Sequence, residues 1–125
     1  MILKTTLFLL LFTSAVAAQS KKELLINKWS YSGKEEFGVV RPPDASMKDD
    51  FIEIKADGSF AMIKEGKQAT GTWTMNEKAA IIVFTHSKTK KTFSYTLKNV
   101  DDKQLVIEYQ TPDLVRTKYH YRPAE

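Results

Sequence analysis

The chain has no cysteine, and it has only two histidines in 125 residues. The absence of cysteine excludes disulfide bonds, cysteine-based zinc sites, a thiol nucleophile and the lipidated cysteine of an exported lipoprotein. The histidines make a poor metal pair, because His86 ends one predicted strand and His120 points outward from another. We therefore expect no metal and no cofactor, and a fold that depends on its apolar core alone.

Sequence patterns of catalytic sites are absent as well. Two pairs of adjacent acids, at 49–50 and 101–102, fall in predicted loops, where we interpret them as turn residues rather than as a general acid and base. The Gly-Ser and Gly-Thr pairs at 58–59 and 71–72 lack the strand–turn–helix context that presents a nucleophile, and no phosphate-binding loop occurs. No catalytic residue is predicted, and the chain is not expected to be an enzyme.

The first 18 residues have the composition of a signal peptide. Lys4 provides a short basic region, LFLLLF at 7–12 an apolar region, and AVAA at 15–18 a small-residue cleavage site. The apolar run is too short to span a bilayer, and no later stretch is apolar enough to enter one. The sequence therefore predicts a protein exported to a periplasm or out of the cell, soluble and without a membrane anchor, with one domain over 19–125.

The rest of the chain alternates short strand-like segments with turn residues. A short helical turn is predicted at 21–26, and only the join at 38–50 is long. Consecutive strands joined by short turns are antiparallel neighbours, and a long meander closes because closure removes its unpaired edges. We predict an all-β, eight-stranded, up-and-down antiparallel barrel with strands at 28–33, 50–56, 59–64, 69–75, 79–86, 91–98, 104–110 and 114–122.

Alternation in the last three strands assigns their faces. Basic side chains such as Arg116 and Lys118 point outward, and the tyrosines of the same strand point inward. A single-stranded nucleic acid needs cations and aromatic rings on one face, so no nucleic-acid partner is expected. The residues predicted to face the interior are Phe93, Tyr95, Leu97, Leu105, Ile107, Tyr109, Thr117 and Tyr119.

The chain resembles the lipocalin-like domains of the calycin group. The resemblance is carried by the helical turn before Trp29, by that tryptophan at the start of the first strand, by the single long loop, and by Gly-Thr-Trp at 71–73. The chain differs from classical lipocalins, which have Gly-x-Trp where this sequence has Asn27-Lys28-Trp29. The resemblance implies a small, largely apolar ligand bound in the barrel mouth beneath the long loop, and an arginine, here Arg122, covering the tryptophan.

The predicted hairpins distribute bulk unequally between the two barrel ends. One end collects Trp29, Ile54, Phe60, Trp73, Met75, Leu97, Leu105, Tyr119 and Tyr121, enough to close it. The other end, where a cavity is expected, collects Tyr31, Gly33, Ile52, Met62, Gly71, Phe84, Phe93, Tyr109 and Val115. All five tyrosines fall on inward positions, where their hydroxyls need water, a ligand or each other, unless the rings reach out to the barrel ends.

These positions predict a ligand site and three candidate functions. Lys88, Lys90 and Lys91 form a rim without acids, which favours a fatty-acid-like anion, although such lysines commonly only keep a hairpin soluble. A ligand binder is favoured over a protein-interaction module or inhibitor that uses its rim loops, and over a calycin-like isomerase. The predicted ligand-binding residues are Tyr31, Met62, Phe84, Phe93, Tyr95, Tyr109, Val115 and Thr117.

Overall fold

A computed structural model describes residues 20–125, so the predicted signal peptide lies outside the described residues. One short α-helix precedes the strands, and a single 3-10 turn, Ala45–Met47, lies before the third of them. The elements are α1 (Lys21–Leu25), β1 (Asn27–Glu36), β2 (Val39–Arg41), β3 (Phe51–Ile54), β4 (Ser59–Lys64), β5 (Lys67–Asn76), β6 (Ile81–His86), β7 (Thr92–Val100), β8 (Leu105–Gln110) and β9 (Arg116–Pro123).

Eight of the strands form a closed antiparallel barrel. Strands β3 to β9 follow one another as neighbours in the sheet, and β1 closes it by pairing with both β3 and β9. Trp29 lies at the closure, opposite Ile52 on one side and Pro123 on the other. The predicted eight-stranded up-and-down barrel with a short N-terminal helix is confirmed.

Strand β2 is a ninth strand within the join predicted to be one long loop. β1 extends to Glu36, beyond the predicted end at 33, and turns back through Phe37 and Gly38, both of which have positive φ. β2 then pairs with the last residues of β1, on the edge that β3 leaves free beyond Ser30. The result is a short hairpin flap at the end of the barrel where β1 finishes.

A β-bulge in β1 changes which side chains face the interior near the flap. Tyr31 pairs with Tyr121, but Gly33 pairs with His120, so one residue of β1 is extra at this point. Because side chains alternate along a strand, the extra residue turns Lys34 inward. The prediction that Gly33 contributes an empty position to the cavity is wrong: a Cβ there would approach the carbonyl oxygen of Arg41 in β2 to 3.0 Å.

The other predicted empty position, Gly71, is wrong for a different reason. A Cβ at this glycine would overlap the Thr85 carbonyl and come within 2.9 Å of the Phe60 ring. The glycine therefore allows close approach of β6 and of an aromatic ring, and it leaves no void.

The end of the barrel next to α1 holds a continuous apolar core. Ser20 caps the helix, since its Oγ accepts a hydrogen bond from Glu23 N, and Leu25 is fully buried. The indole Nε1 of Trp29 donates to the Leu25 carbonyl at 2.9 Å, so the helix covers this tryptophan. Arg122 is exposed and pairs with Ser30, so the covering role that the resemblance implied for it is wrong.

Candidate functional site

The opposite end of the barrel contains two adjoining pockets. The tyrosine pocket, about 110 Å³, lies between Tyr31, Tyr119, Tyr121, Asp50 and Ile52. The apolar cleft, about 360 Å³ and open to solvent, is lined on its apolar side by Met62, Ala69, Phe84, Phe93 and Tyr95, with His86 beside them. The side chains shared by both pockets are Met62, Lys64, Glu65 and Tyr95.

The structure brings all five tyrosines of the chain into one ring cluster. The ring centroid of Tyr31 lies 5.6 Å from that of Tyr121 and 6.4 Å from that of Tyr119. Tyr95 continues the cluster at 6.4 Å from Tyr119 and 5.8 Å from Tyr109. Four of these five tyrosines line the tyrosine pocket, and Tyr109 does not.

The phenol groups of this cluster are difficult to ionise. Burial, with a smaller contribution from the neighbouring Tyr119, raises the pKa of Tyr31 and of Tyr95 to about 12. Burial also raises the pKa of Tyr119, and that of Tyr121 well above its usual value. These four hydroxyls therefore remain protonated at neutral pH and are available both as donors and as acceptors.

Asp50 is a buried carboxylate in the tyrosine pocket. Only 7% of the residue is exposed, and its Oδ2 accepts a hydrogen bond from Glu65 N at 2.8 Å. The backbone of Asp50 is also held, because its carbonyl accepts from Tyr31 N and its amide donates to Met47 O. Oδ1 is the one buried side-chain polar atom of residues 20–125 that has no hydrogen-bond partner.

Sequence reasoning missed Asp50, because an acid next to another acid was interpreted as a turn residue. Asp50 does end the turn before β3, but its side chain is buried, whereas that of its neighbour Asp49 is exposed. A signal was present: Asp50 continues backwards the alternation of Ile52 and Ile54, both of which are buried in the barrel. The predicted strand 50–56 already began at Asp50, and its period of two places this carboxylate on the same face as the two isoleucines.

Two lysines also line the tyrosine pocket, one paired with a glutamate and the other lying over one of the pocket's own tyrosine rings. Lys34 Nζ forms an ion pair with Glu36 Oε1 at 3.0 Å, and Lys64 Nζ lies 5.6 Å from the centre of the Tyr119 ring. No ion pair within residues 20–125 includes Asp50. The pocket therefore holds a carboxylate oxygen that pairs with no cation of residues 20–125.

Five of the eight predicted ligand-binding residues line the two pockets: Tyr31, Met62, Phe84, Phe93 and Tyr95. Tyr109 contacts Tyr95 but lines a groove between β7 and β8, where the ladder between the two strands ends at Thr96 and Glu108. Thr117 is buried, and its Oγ1 donates to Glu36 instead of facing either pocket. Val115 lies in the turn before β9, and its carbonyl accepts a hydrogen bond from Thr111 N.

The predicted lysine rim lies outside both pockets. Lys88, Lys90 and Lys91 are exposed in the turn between β6 and β7, which is closed by hydrogen bonds between backbone atoms of His86 and those of Lys90 and Lys91. Lys88 borders a further hollow, which shares Gln68, Ala69 and His86 with the apolar cleft.

Two tyrosines lie at the opposite end from the one predicted. Tyr119 and Tyr121 were assigned to the closed end, but both line the tyrosine pocket. The register explains the difference, since Tyr119 pairs with Lys34 and Tyr121 with Tyr31, and both partners line this pocket.

The comparisons with known proteins concern the fold. No protein-family model matches the chain, and no curated protein is significantly similar to it in sequence. A DUF4847 family protein from Bacteroides vulgatus, known from a crystal structure, has a TM-score of 0.58 and 15% identity, covering 79% of this chain and 93% of that one. This likeness agrees with a calycin-like barrel and, at such low identity, concerns the fold alone.

Two further observations apply to residues 20–125. Their single α-helix is five residues long, and none of these residues belongs to a helix with the length and apolar character needed to cross a membrane. The same part of the chain has no group of three acidic or histidine side chains arranged to hold a metal ion.

Proposed function

We propose that this chain is an exported, lipocalin-like, non-catalytic barrel that binds one small, largely apolar ligand at its open end. The observation that carries the proposal is the tyrosine pocket joined to the apolar cleft. A volume of about 360 Å³ for the cleft is within the range of small-molecule sites. Export rests on residues 1–18 of the sequence.

The side chains around the pockets support a binding role over a purely structural one. Phe84 is buried and packs edge-on against Phe60 and Tyr95, which gives the cleft a rigid aromatic floor. Phe93 stays 37% exposed at the lip, where its ring lies 4.9 Å from that of His86. Apolar walls with a few polar groups at one side are typical of small-molecule sites.

A protein-interaction role is the second candidate, and the hairpin flap favours it. Phe37 is 87% exposed at the tip, and Val39 and Val40 are each 56% exposed on β2. Neighbouring apolar side chains on a protruding hairpin are unusual on a surface without a partner. This candidate places the function on the rim and needs no ligand in the barrel.

Titration with the neutral, polarity-sensitive dye N-phenyl-1-naphthylamine tests the binding proposal. Ala69→Trp fills the apolar cleft, because Ala69 lines it from β5. Thr72→Trp adds the same ring to the exposed outer face of the same strand and is the matched control. We expect the dye to bind wild type and the control alike, and to bind Ala69→Trp at least about tenfold more weakly.

The flap provides the test of the alternative. Phe37→Ser removes the exposed tip ring and leaves the cleft unchanged. Dye binding that is lost with Phe37→Ser and kept with Ala69→Trp would show that the dye sits on the flap, and would contradict the proposed site. Absence of binding to the wild type would contradict the binding function itself and favour the interaction role.

A further inference from the structure

We propose that the ligand's polar end is a protonated primary or secondary amine, bound between the tyrosine rings with an N–H directed at Asp50 Oδ1. The inference rests on the proposed binding function and specifies the chemistry of its ligand. The apolar part of the ligand would then occupy the adjoining cleft, beyond Met62 and Tyr95, which the two pockets share.

One oxygen of the Asp50 carboxylate, Oδ1, has no hydrogen-bond partner within residues 20–125. A buried polar atom without a hydrogen bond is unfavourable, and a buried charge without a counter-charge is more so. Oδ2 is satisfied by the Glu65 amide, but Oδ1 is buried and has no partner within residues 20–125. A donor that carries positive charge satisfies both requirements of this atom.

Tyrosine rings surround the tyrosine pocket next to Asp50. Tyr31 and Tyr121 meet at an interplanar angle of 56°, and Tyr119 lies against Tyr31 at 51°. Aromatic faces attract cations through their quadrupole, more strongly when the cation is desolvated. Tilted tyrosine rings beside a carboxylate therefore favour an organic cation over a neutral group of the same size.

The lysines that line the two pockets do not neutralise Asp50. Lys34 is paired with Glu36 at 3.0 Å, and Lys64 lies over the Tyr119 ring with Glu65 also lining the pocket. Lys34 therefore has an acid beside it, whereas Lys64 and Lys67 of the cleft form no ion pair within residues 20–125, and none of these lysines pairs with Asp50. A carboxylate ligand in the tyrosine pocket would lie beside the Asp50 carboxylate and could not donate a hydrogen bond to Oδ1, and the exposed rim lysines line neither pocket.

The volume of the tyrosine pocket and the hydrogen bond to Oδ1 restrict the class of amine further. The tyrosine pocket, at about 110 Å³, is large enough for a small head group and too small for the whole ligand. A quaternary ammonium has no N–H and would leave Oδ1 without its hydrogen bond. A primary or secondary ammonium on an apolar chain or ring fits both requirements.

A matched series of eight-carbon ligands tests the inference by calorimetry at neutral pH. Octylamine, octanol, octanoate and octyltrimethylammonium share one apolar chain and differ in the head group. We expect wild type to bind octylamine at least about tenfold more tightly than octanoate and more tightly than the quaternary analogue, because a hydrogen bond to a charged group contributes this much. Octanol should be intermediate.

Two single substitutions locate the effect. Asp50→Asn keeps an oxygen that accepts from the Glu65 amide but removes the charge. The preference for octylamine over octanoate should therefore be lost. The affinity for octanol should change by less than about threefold. Asp49→Asn removes the same charge from the adjacent, exposed side chain and should keep the preference. The wild-type comparison does not depend on either variant folding.

The possible outcomes separate the two proposals. Equal or tighter binding of octanoate by wild type, or an unchanged preference in Asp50→Asn, would overturn the amine inference and leave the binder intact if octanol still binds. Quaternary binding as tight as that of octylamine would overturn the role assigned to Oδ1. If none of the four ligands binds and the neutral dye also fails, the binding function itself is overturned.

Discussion

The two ends of this barrel meet their polar requirements in different ways. At the closed end, both tryptophans are buried and their indole N–H groups donate to backbone carbonyls, Trp29 to Leu25 and Trp73 to Lys55. At the open end, no hydrogen bond within residues 20–125 joins a tyrosine hydroxyl to another side chain, and Asp50 Oδ1 is buried without a partner. The closed end is complete in itself, whereas the open end presents donors and acceptors to its pockets.

This difference separates residues that stabilise the fold from residues available for binding. The closed end combines Leu25 from the helix with side chains from most strands in one buried cluster, so its removal should affect stability first. The open end has a buried charge without a counter-charge and tyrosine hydroxyls without side-chain partners within residues 20–125, which are typical of a site.

The largest effect is expected at Trp73. Replacing this buried ring with alanine leaves a cavity in the closed end and removes the hydrogen bond to the Lys55 carbonyl. We expect Trp73→Ala to lower the free energy of unfolding by about 3–5 kcal/mol, measured by urea denaturation. A variant that kept its melting temperature but lost dye binding would instead assign Trp73 to the site.

A smaller loss of stability is expected at Gly71. Its Cβ would overlap the Thr85 carbonyl of the neighbouring strand, so β5 and β6 must move apart. We expect Gly71→Ala to destabilise the fold by about 1–3 kcal/mol in the same measurement. The control is Thr72→Ala on the exposed outer face, and equal effects of the two substitutions would mean that the close approach is unimportant.

Much of the fold was predictable because the chain repeats a simple rule. Short turns between strands of period two impose an antiparallel meander, and the pairing of Phe84 with Phe93 follows from it. The bulge near Gly33 was not predicted, because the predicted first strand ended at this glycine, although a glycine within a strand often marks a bulge. Lys34 was therefore missed as a pocket residue.

The candidate site was predictable in its apolar part and less so in its polar part. Met62, Phe84 and Phe93 follow from inward alternation at the correct end of the strands. Tyr121 was placed at the wrong end, because the cross-strand register that brings it beside Tyr31 depends on the pairing of distant strands. The prediction of an anionic head group was based on the rim lysines, because a sequence shows which residues are charged but not which of them are buried.

Alkaline pH should distinguish the buried phenols from those of an unfolded chain. The pKa of Tyr31 and Tyr95 is raised to about 12 by burial, above the model-peptide value of about 10. Below pH 10 both states keep these protons and stability is independent of them. Between about pH 10 and 12 the unfolded state releases protons that the folded state keeps, so the free energy of unfolding falls as pH rises.

Ultraviolet absorbance of tyrosinate measures this directly. We expect part of the tyrosine signal to titrate only near pH 12 or with unfolding, and Tyr95→Phe to remove a share of that late signal. If all tyrosines of the native protein titrate together near pH 10, the ring cluster is open to water. The open end would then lack the buried phenols that distinguish it from the closed end.

The smallest change in stability is expected at Asp50, where the sign carries the information. Asp50→Asn keeps an oxygen to accept from the Glu65 amide and replaces a buried, unpartnered charge by a neutral amide. Because the lost charge is unfavourable in the free protein, we expect stability to change by less than about 1 kcal/mol, toward a more stable fold. The measurement is urea denaturation beside Asp49→Asn, which should be neutral.

A loss of more than about 2 kcal/mol would mean that the carboxylate holds the start of β3 in place as a structural residue. A more stable variant with weaker amine binding is the combination expected of a group kept for a ligand, since the fold alone gains nothing from Oδ1.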